Sequence, residues 1–238
     1  GAYLFALKAR CCTSENLRLT YSAIAALAAF NVLFMVEGRT GQLVLFALLF
    51  HLLFSWLRWK GVAVAALACV LIGSVAYFVP SSSLNQRATV TLREFNEWRP
   101  GEPSTTSIGQ RLEFYRNSIE IVREYPLLGV GTGGFPVAYA RQIAETPMVA
   151  TRNPHNEYLM ITIQLGVAGL ALLLYLFWSQ WRLAAALAAS SDQAVVRALV
   201  IAIATASMVS STLMDHTEGL FYVWASGVLL SGLTRRTA

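Results

Sequence analysis

The stretch YLMITIQLGVAGLALLLYLFW at 158–178 carries no charged residue over a length matching the hydrocarbon core of a bilayer. At about 1.5 Å of rise per residue, some 20 apolar residues cross roughly 30 Å. This segment therefore reads as a membrane helix. Five further segments read the same way, at 19–36, 41–57, 62–79, 198–214 and 219–233, the last of them short. The expected fold is an all-α polytopic membrane protein with about six spans. Transmembrane helices fill 1–79, one long polar loop fills 80–157, and the remaining spans fill 158–238.

Composition agrees with that reading. Of 238 residues, 56% are hydrophobic and only 13% charged, about half the charged share of a soluble globular domain. This excludes a disordered chain and argues against a soluble enzyme with a single core. The three cysteines, Cys11 and Cys12 side by side and Cys69 inside an apolar run, give neither a disulfide framework nor a metal spacing. The opening Gly-Ala-Tyr-Leu-Phe-Ala-Leu, followed by Lys8 and Arg10, reads as the tail of a membrane helix, so a C-terminal portion of a longer protein is expected.

A net charge of +5 does not imply nucleic acid here, because the information lies in where the charges fall. Lys8, Arg10, Arg18, Arg58, Lys60, Arg182, Arg197, Arg235 and Arg236 share one set of connections with only Glu15 and Asp192. The long loop balances eight arginines against eight glutamates. By the positive-inside rule the first set is cytoplasmic and the loop faces outward. In a bacterium that places the loop in the periplasm and the chain in the inner membrane.

Within the loop, Ile108, Leu112, Tyr115, Ile119 and Val122 recur at helical spacing among Gln110, Arg111, Glu113, Arg116, Glu120 and Arg123. That pattern predicts an amphipathic helix lying at the membrane surface or against the bundle. Pro126 ends it, and Gly129, Gly131, Gly133 and Gly134 suggest a flexible turn region. The stretches 80–83 and 99–107 read as linker.

Three places combine polarity with membrane geometry. Arg39 lies in Glu-Gly-Arg-Thr-Gly at 37–41, a tight outer connection, where snorkelling and pairing with Glu37 would explain it equally well. Arg111 opens the amphipathic helix, where a solvated face with a local Glu-Arg pair would serve nearly as well. Arg116 and Arg123 fit that plainer role better. His155 lies in Asn-Pro-His-Asn-Glu-Tyr at 153–158, where a membrane helix begins. Pro154 fixes the entry geometry and Asn156 can cap the helix. An imidazole held at that surface can act as a base near neutral pH. His51, nearer the cytoplasmic side, is expected to hydrogen-bond inside the bundle. His216, after Asp215 at an outer helix end, could orient His155, bind ligand, or sit in water.

Other chemistries lack their residues. The run Gly-Val-Gly-Thr-Gly-Gly at 129–134 has no preceding strand and no P-loop lysine. There is no His-Glu-x-x-His, no Asp-x-Asp and no Gly-x-Ser-x-Gly. No span carries the central acidic residue of a proton-coupled pump. Two arginines and a histidine at an outer membrane surface suit an anionic lipid, since guanidinium forks match pyrophosphate oxygens.

These motifs, with Gly-Gln-Arg-Leu-Glu-Phe-Tyr at 109–115, Pro-Leu-Leu-Gly-Val-Gly-Thr-Gly-Gly-Phe at 126–135 and Pro-His-Asn-Glu-Tyr-Leu at 154–159, resemble the O-antigen ligase and polymerase superfamily over about residues 17–233. The resemblance implies a GT-C-like membrane fold and metal-independent, inverting glycosyl transfer without a cofactor. It implies a donor glycan on undecaprenyl pyrophosphate and, for a ligase, lipid A-core as acceptor. Arg39 and Arg111 match the arginines that engage the donor pyrophosphate, and His155 the histidine proposed as general base. Asp215 matches a further acidic position only loosely; Asn156 and His216 are possible supports. Glu37 departs from the small residue commoner before Gly-Arg, and would compete for Arg39. A polymerase or a protein O-oligosaccharyltransferase would share the donor and differ in acceptor; a transporter bearing the same domain is the alternative from another class.

Overall fold

The computed structural model describes residues 1–36, 38–78 and 83–236. Glu37, Val79 and the start of the linker expected at 80–83 lie outside the described residues. In chain order the helices are α1 (Ala2–Cys11), α2 (Glu15–Phe30) continued by a π-helical turn (Asn31–Met35), α3 (Arg39–Leu57) and α4 (Trp59–Phe78). There follow α5 (Ser83–Glu97), α6 (Ser107–Glu124), α7 (Phe135–Gln142), α8 (Glu157–Ala184), α9 (Ser190–Ala206) and α10 (His216–Leu230), then a 3-10 helix (Ser231–Arg236). No strand occurs among the described residues.

Three helices among the described residues are long and apolar enough to cross a membrane: Glu15–Met35, α3 and α8. The six expected spans are thus matched in part. The clearest departure is the fifth. The run 198–214 is not one helix, because α9 ends at Ala206 and 207–215 is a succession of turns. Its apolar residues suggested continuity, but the Ser207 and Met208 carbonyls accept from Glu157 and Asn156 and the Ser211 hydroxyl donates to Asn153, bonds that turn the chain out of the helix. The sixth, α10, begins earlier than expected and spans 15 residues.

The chain divides into two compact units. The first comprises 1–86, 183–205 and 226–238. Tyr3, Leu7, Leu52 and Ala198 form one buried cluster in it, and Ala184, Leu187 and Val196 another. The Tyr3 hydroxyl meets His51 Nδ1 at 3.0 Å, the bond inside the bundle that this histidine was expected to make.

The second unit comprises 87–182 and 206–225. Its core joins Phe114 and Ile121 of α6, Phe135 and Tyr139 of α7, and Met160 and Ile163 of α8, with Ile143. The helix at 108–125 forms as its periodicity predicts, but the buried face is turned. Ile119 is 42% exposed, whereas Glu113, Phe114, Asn117, Ser118 and Ile121 are buried. A carboxylate explains the rotation. Glu113 accepts bonds from Trp98 Nε1 at 2.9 Å and the Gly101 amide at 3.1 Å, and pairs with Arg116 at 3.3 Å. Buried charge with such partners anchors the 98–101 turn onto α6, and hydrophobic spacing alone does not reveal it.

The glycine run is fixed rather than flexible. Gly166, at φ 66° and ψ −166°, breaks α8. The Ile163 carbonyl, released from the helix, accepts from the Val130 amide at 2.8 Å, and the Gln164 carbonyl accepts from Gly131 at 3.0 Å. In return the Val167 amide donates to the Pro126 carbonyl at 2.8 Å. The Gln164 side-chain oxygen takes the Gly133 amide as well. Gly129 (φ 68°) and Gly166 must be glycines: a Cβ at either would collide with the facing backbone carbonyl. The Ile163 and Gln164 carbonyls and the Val167 amide, freed by the break, thereby find partners in the loop, as low-dielectric surroundings favour.

Candidate functional site

The site in the second unit is assembled from the first turns of α6, the segment before α8, and the turns at 207–215. Thr106 caps α6, its Oγ1 accepting from the Gly109 amide at 3.2 Å. Glu94 Oε2 accepts from the Ile108 amide at 3.1 Å. Two acceptors on the orphan amides of that first turn fix its start, and so fix where Arg111 and Tyr115 emerge from the second and third turns.

His155 precedes α8 and, with Arg58, is one of two non-glycine residues of positive φ among the described residues. At φ 55° it occupies the left-handed region, which few non-glycine residues enter. Its neighbours impose this conformation. Asn153 Oδ1 accepts from the His155 amide at 2.7 Å and, on the same atom, from Ser211 Oγ at 2.7 Å. Tyr115 donates its hydroxyl to the His155 carbonyl at 3.1 Å. The imidazole stacks on Phe114, with ring centroids 6.2 Å apart and planes 23° from parallel. Pro154 beside it is fully buried.

The following residues tie the start of α8 to the 207–215 turns. Asn156 Oδ1 accepts from the Leu159 amide at 3.0 Å, closing the first turn of α8, while its Nδ2 donates to the Met208 carbonyl at 3.0 Å. The Glu157 amide donates to the Ser207 carbonyl at 2.9 Å, and Glu157 Oε2 accepts from the Leu213 amide at 2.8 Å. That carboxylate is 0% exposed.

Electrostatics make His155 an acceptor of protons rather than a standing cation. Partial burial depresses its pKa below the ordinary histidine value, the Arg111 charge depresses it further, and Asp215 opposes both. Arg111 and Asp215 therefore act on the same imidazole, although neither is adjacent in sequence. Burial raises the Tyr115 pKa, with Arg111 and a bond to Asn156 pulling the other way, so its hydroxyl keeps its proton near neutral pH.

The other candidates separate by their surroundings. Arg116 and Arg123 are engaged by Glu113 and Glu120, at 3.3 and 2.7 Å, as solvated-face arginines would be. Among the described residues, Arg111 has no carboxylate within ion-pair distance. Arg39 is half-buried at the first position of α3 in the first unit. A cation at a helix N-terminus is unfavourable to the helix dipole, so α3 gains nothing from it there. Its expected competitor, Glu37, is outside the described residues. His216 is exposed at the start of α10, next to Asp215. Among the described residues, no three His, Cys, Asp or Glu side chains are grouped to hold a metal ion.

Asn153, Tyr115 and Glu157 are the residues that sequence reasoning passed over. Asn-Pro is a turn signal and marks Asn153 as a candidate for a side-chain-closed turn. The partners of Tyr115 and Glu157 lie far along the chain, and nothing local announces them.

A family model described as O-antigen ligase matches residues 24–174. The matched region contains Arg39, Arg111 and His155 and leaves out Asp215 and His216. No curated protein matches the chain. With spans long and apolar enough to cross a bilayer and a match over more than half its length, this chain is an integral membrane protein belonging to the O-antigen ligase family.

Proposed function

We propose that the protein is an O-antigen ligase of the bacterial inner membrane, working on the periplasmic side. It moves a glycan from undecaprenyl pyrophosphate to a sugar hydroxyl of lipid A-core. His155 takes the proton from that hydroxyl as its oxygen attacks the anomeric carbon. The bond from that carbon to the pyrophosphate oxygen breaks with inversion. Arg39 and Arg111 hold the departing diphosphate and neutralise the charge that develops on it. The scaffold is a GT-C-like set of about six spans in this chain, with the 80–157 loop outside, and the reaction uses no metal.

One observation carries this reading. His155 is half-buried, locked in an uncommon backbone conformation from both its amide and its carbonyl, with burial and then Arg111 lowering its pKa. A base must be unprotonated and positioned, and a general base typically contributes about a hundred- to ten-thousand-fold. A solvated histidine needs neither feature.

The test is transfer by the complete purified protein in lipid, given an undecaprenyl-pyrophosphate glycan and three acceptors offered separately: lipid A-core, a second lipid-linked glycan, and an acceptor protein. Transfer to lipid A-core alone is expected. Transfer only to a second lipid-linked glycan would make the protein a polymerase, and transfer only to protein an O-oligosaccharyltransferase.

A further inference from the structure

We infer that 126–131 enters the outer leaflet of the bilayer as a re-entrant segment, with Leu127 and Leu128 in contact with lipid acyl chains. Below Gly166, α8 continues unbroken to an interfacial aromatic pair, Trp178 and Trp181, followed by Arg182. At about 1.5 Å per residue, Gly166 stands roughly 18–22 Å above that pair. A hydrocarbon core of about 30 Å then extends some 8–12 Å beyond Gly166 on the outer side.

The backbone of 126–131 is bonded to α8 at that level, through Pro126 to Val167, Val130 to Ile163 and Gly131 to Gln164. It therefore shares the depth of residues that lie in hydrocarbon. Leu127 is 73% exposed and Leu128 80%, more than any other described leucine. In water two adjacent leucines so presented would be a liability. At this depth their surroundings are the same acyl chains that meet the exposed Val167 and Leu172 of α8. Hydrocarbon also explains why the Ile163 and Gln164 carbonyls and the Val167 amide are paired with the loop at the break, since water is absent there to substitute. The inference rests on α8 crossing the membrane and is independent of the chemistry assigned to His155.

Depth-dependent fluorescence quenching tests it. With Cys11, Cys12 and Cys69 replaced by Ser in the complete protein, an environment-sensitive dye is placed in turn at Leu128→Cys, Val167→Cys and Val149→Cys, in nanodiscs. Val149 is an exposed loop residue and serves as the aqueous reference. The Leu128 probe should emit to the blue of the Val149 probe. Like the Val167 probe, it should be quenched more by spin-labelled acyl chains than by aqueous iodide. Stronger quenching by iodide at Leu128, with Val167 still quenched by lipid, would overturn the re-entrant segment. Iodide quenching at both positions would remove the membrane placement of α8 on which it rests. Either result would leave the acceptor assay for the ligase reading unaffected.

Discussion

The Tyr115 hydroxyl donates to the backbone carbonyl of His155 at 3.1 Å, so a side chain on α6 governs the carbonyl of a residue on the threshold of α8. A left-handed residue persists only when its surroundings over-determine it. Tyr115 holds one end of that residue and Asn153 the other. Tyr115→Phe should therefore loosen the imidazole without vacating space. Losing one neutral hydrogen bond is worth about 0.5–1.5 kcal/mol, so turnover should fall up to roughly tenfold with little change in donor KM. An equal loss in Asn153→Ala, measured by the same transfer assay, would show the two restraints acting on one geometry. Unchanged turnover in both would deny the restraint any role.

His155 should titrate below the ordinary histidine value of about 6.5, because burial and Arg111 both lower it. Removing the guanidinium in Arg111→Ala should move the titration upward, and Asp215→Asn, which removes the opposing charge, should move it downward. Histidine-labelled NMR in nanodiscs reads both directions. Because the fold disfavours the imidazolium, this residue costs stability only as pH falls below about 6.5 and contributes nothing above it. A shift of the wrong sign in either variant would break the assigned neighbourhood.

If Arg39 and Arg111 grip one diphosphate, replacing either by Ala should cut donor use by a hundredfold or more, on the order of 3 kcal/mol for a lost charge-assisted bond. Lys should rescue in part only, since it keeps the charge but not the planar fork. Full rescue by Lys would mean that bulk charge suffices. Transfer should also persist in EDTA, and a strict need for added magnesium or manganese would count against the arginines' role.

Glu157 offers a stability test separate from catalysis. In Glu157→Ala the Leu213 amide loses its acceptor in a buried place, which costs about 1–3 kcal/mol. Glu157→Gln keeps an acceptor oxygen and should recover most of that loss. Thermal unfolding followed by size-exclusion fluorescence distinguishes them. If Ala and Gln unfold alike, the hydrogen bond is not what the carboxylate contributes.

Gly166→Ala should be among the most damaging single-methyl changes in the protein. Its backbone lies in a region that essentially only glycine occupies, at a strain cost of about 1–3 kcal/mol for other residues, and the new Cβ would strike the Leu127 carbonyl. Gly131→Ala is the matched control, because its position is open despite a positive φ. A yield and melting temperature for Gly166→Ala equal to the control would contradict the docked loop.

Much of this protein was legible because single-chain physics decides it. A charge-free run near bilayer length forces α3 and α8, and Pro-His-Asn before such a run forces a capped, immobilised histidine. Legibility failed where a polar group is satisfied at a distance. Glu113 looked like a surface residue until Trp98 and Gly101 closed on it, which turned α6 away from its apparent apolar face. Four glycines in six positions suggested mobility, because nothing nearby discloses that α8 opens to receive their amides. The apolar run at 198–214 hid a break for the same reason. The carbonyls of Ser207 and Met208 are claimed by Glu157 and Asn156, which no window centred on α9 contains.

The break at Gly166 also constrains the order of assembly. The amides of Val130 and Gly131 leave the ribosome before the carbonyls of Ile163 and Gln164 exist, so the loop cannot settle when it is made. A break in α8 at Gly166 without the loop in place would leave the Ile163 and Gln164 carbonyls and the Val167 amide without partners, groups that cost several kcal/mol each in hydrocarbon. The opening of the later helix at Gly166 and the docking of the earlier loop are consequently one event, each satisfying the groups that the other exposes.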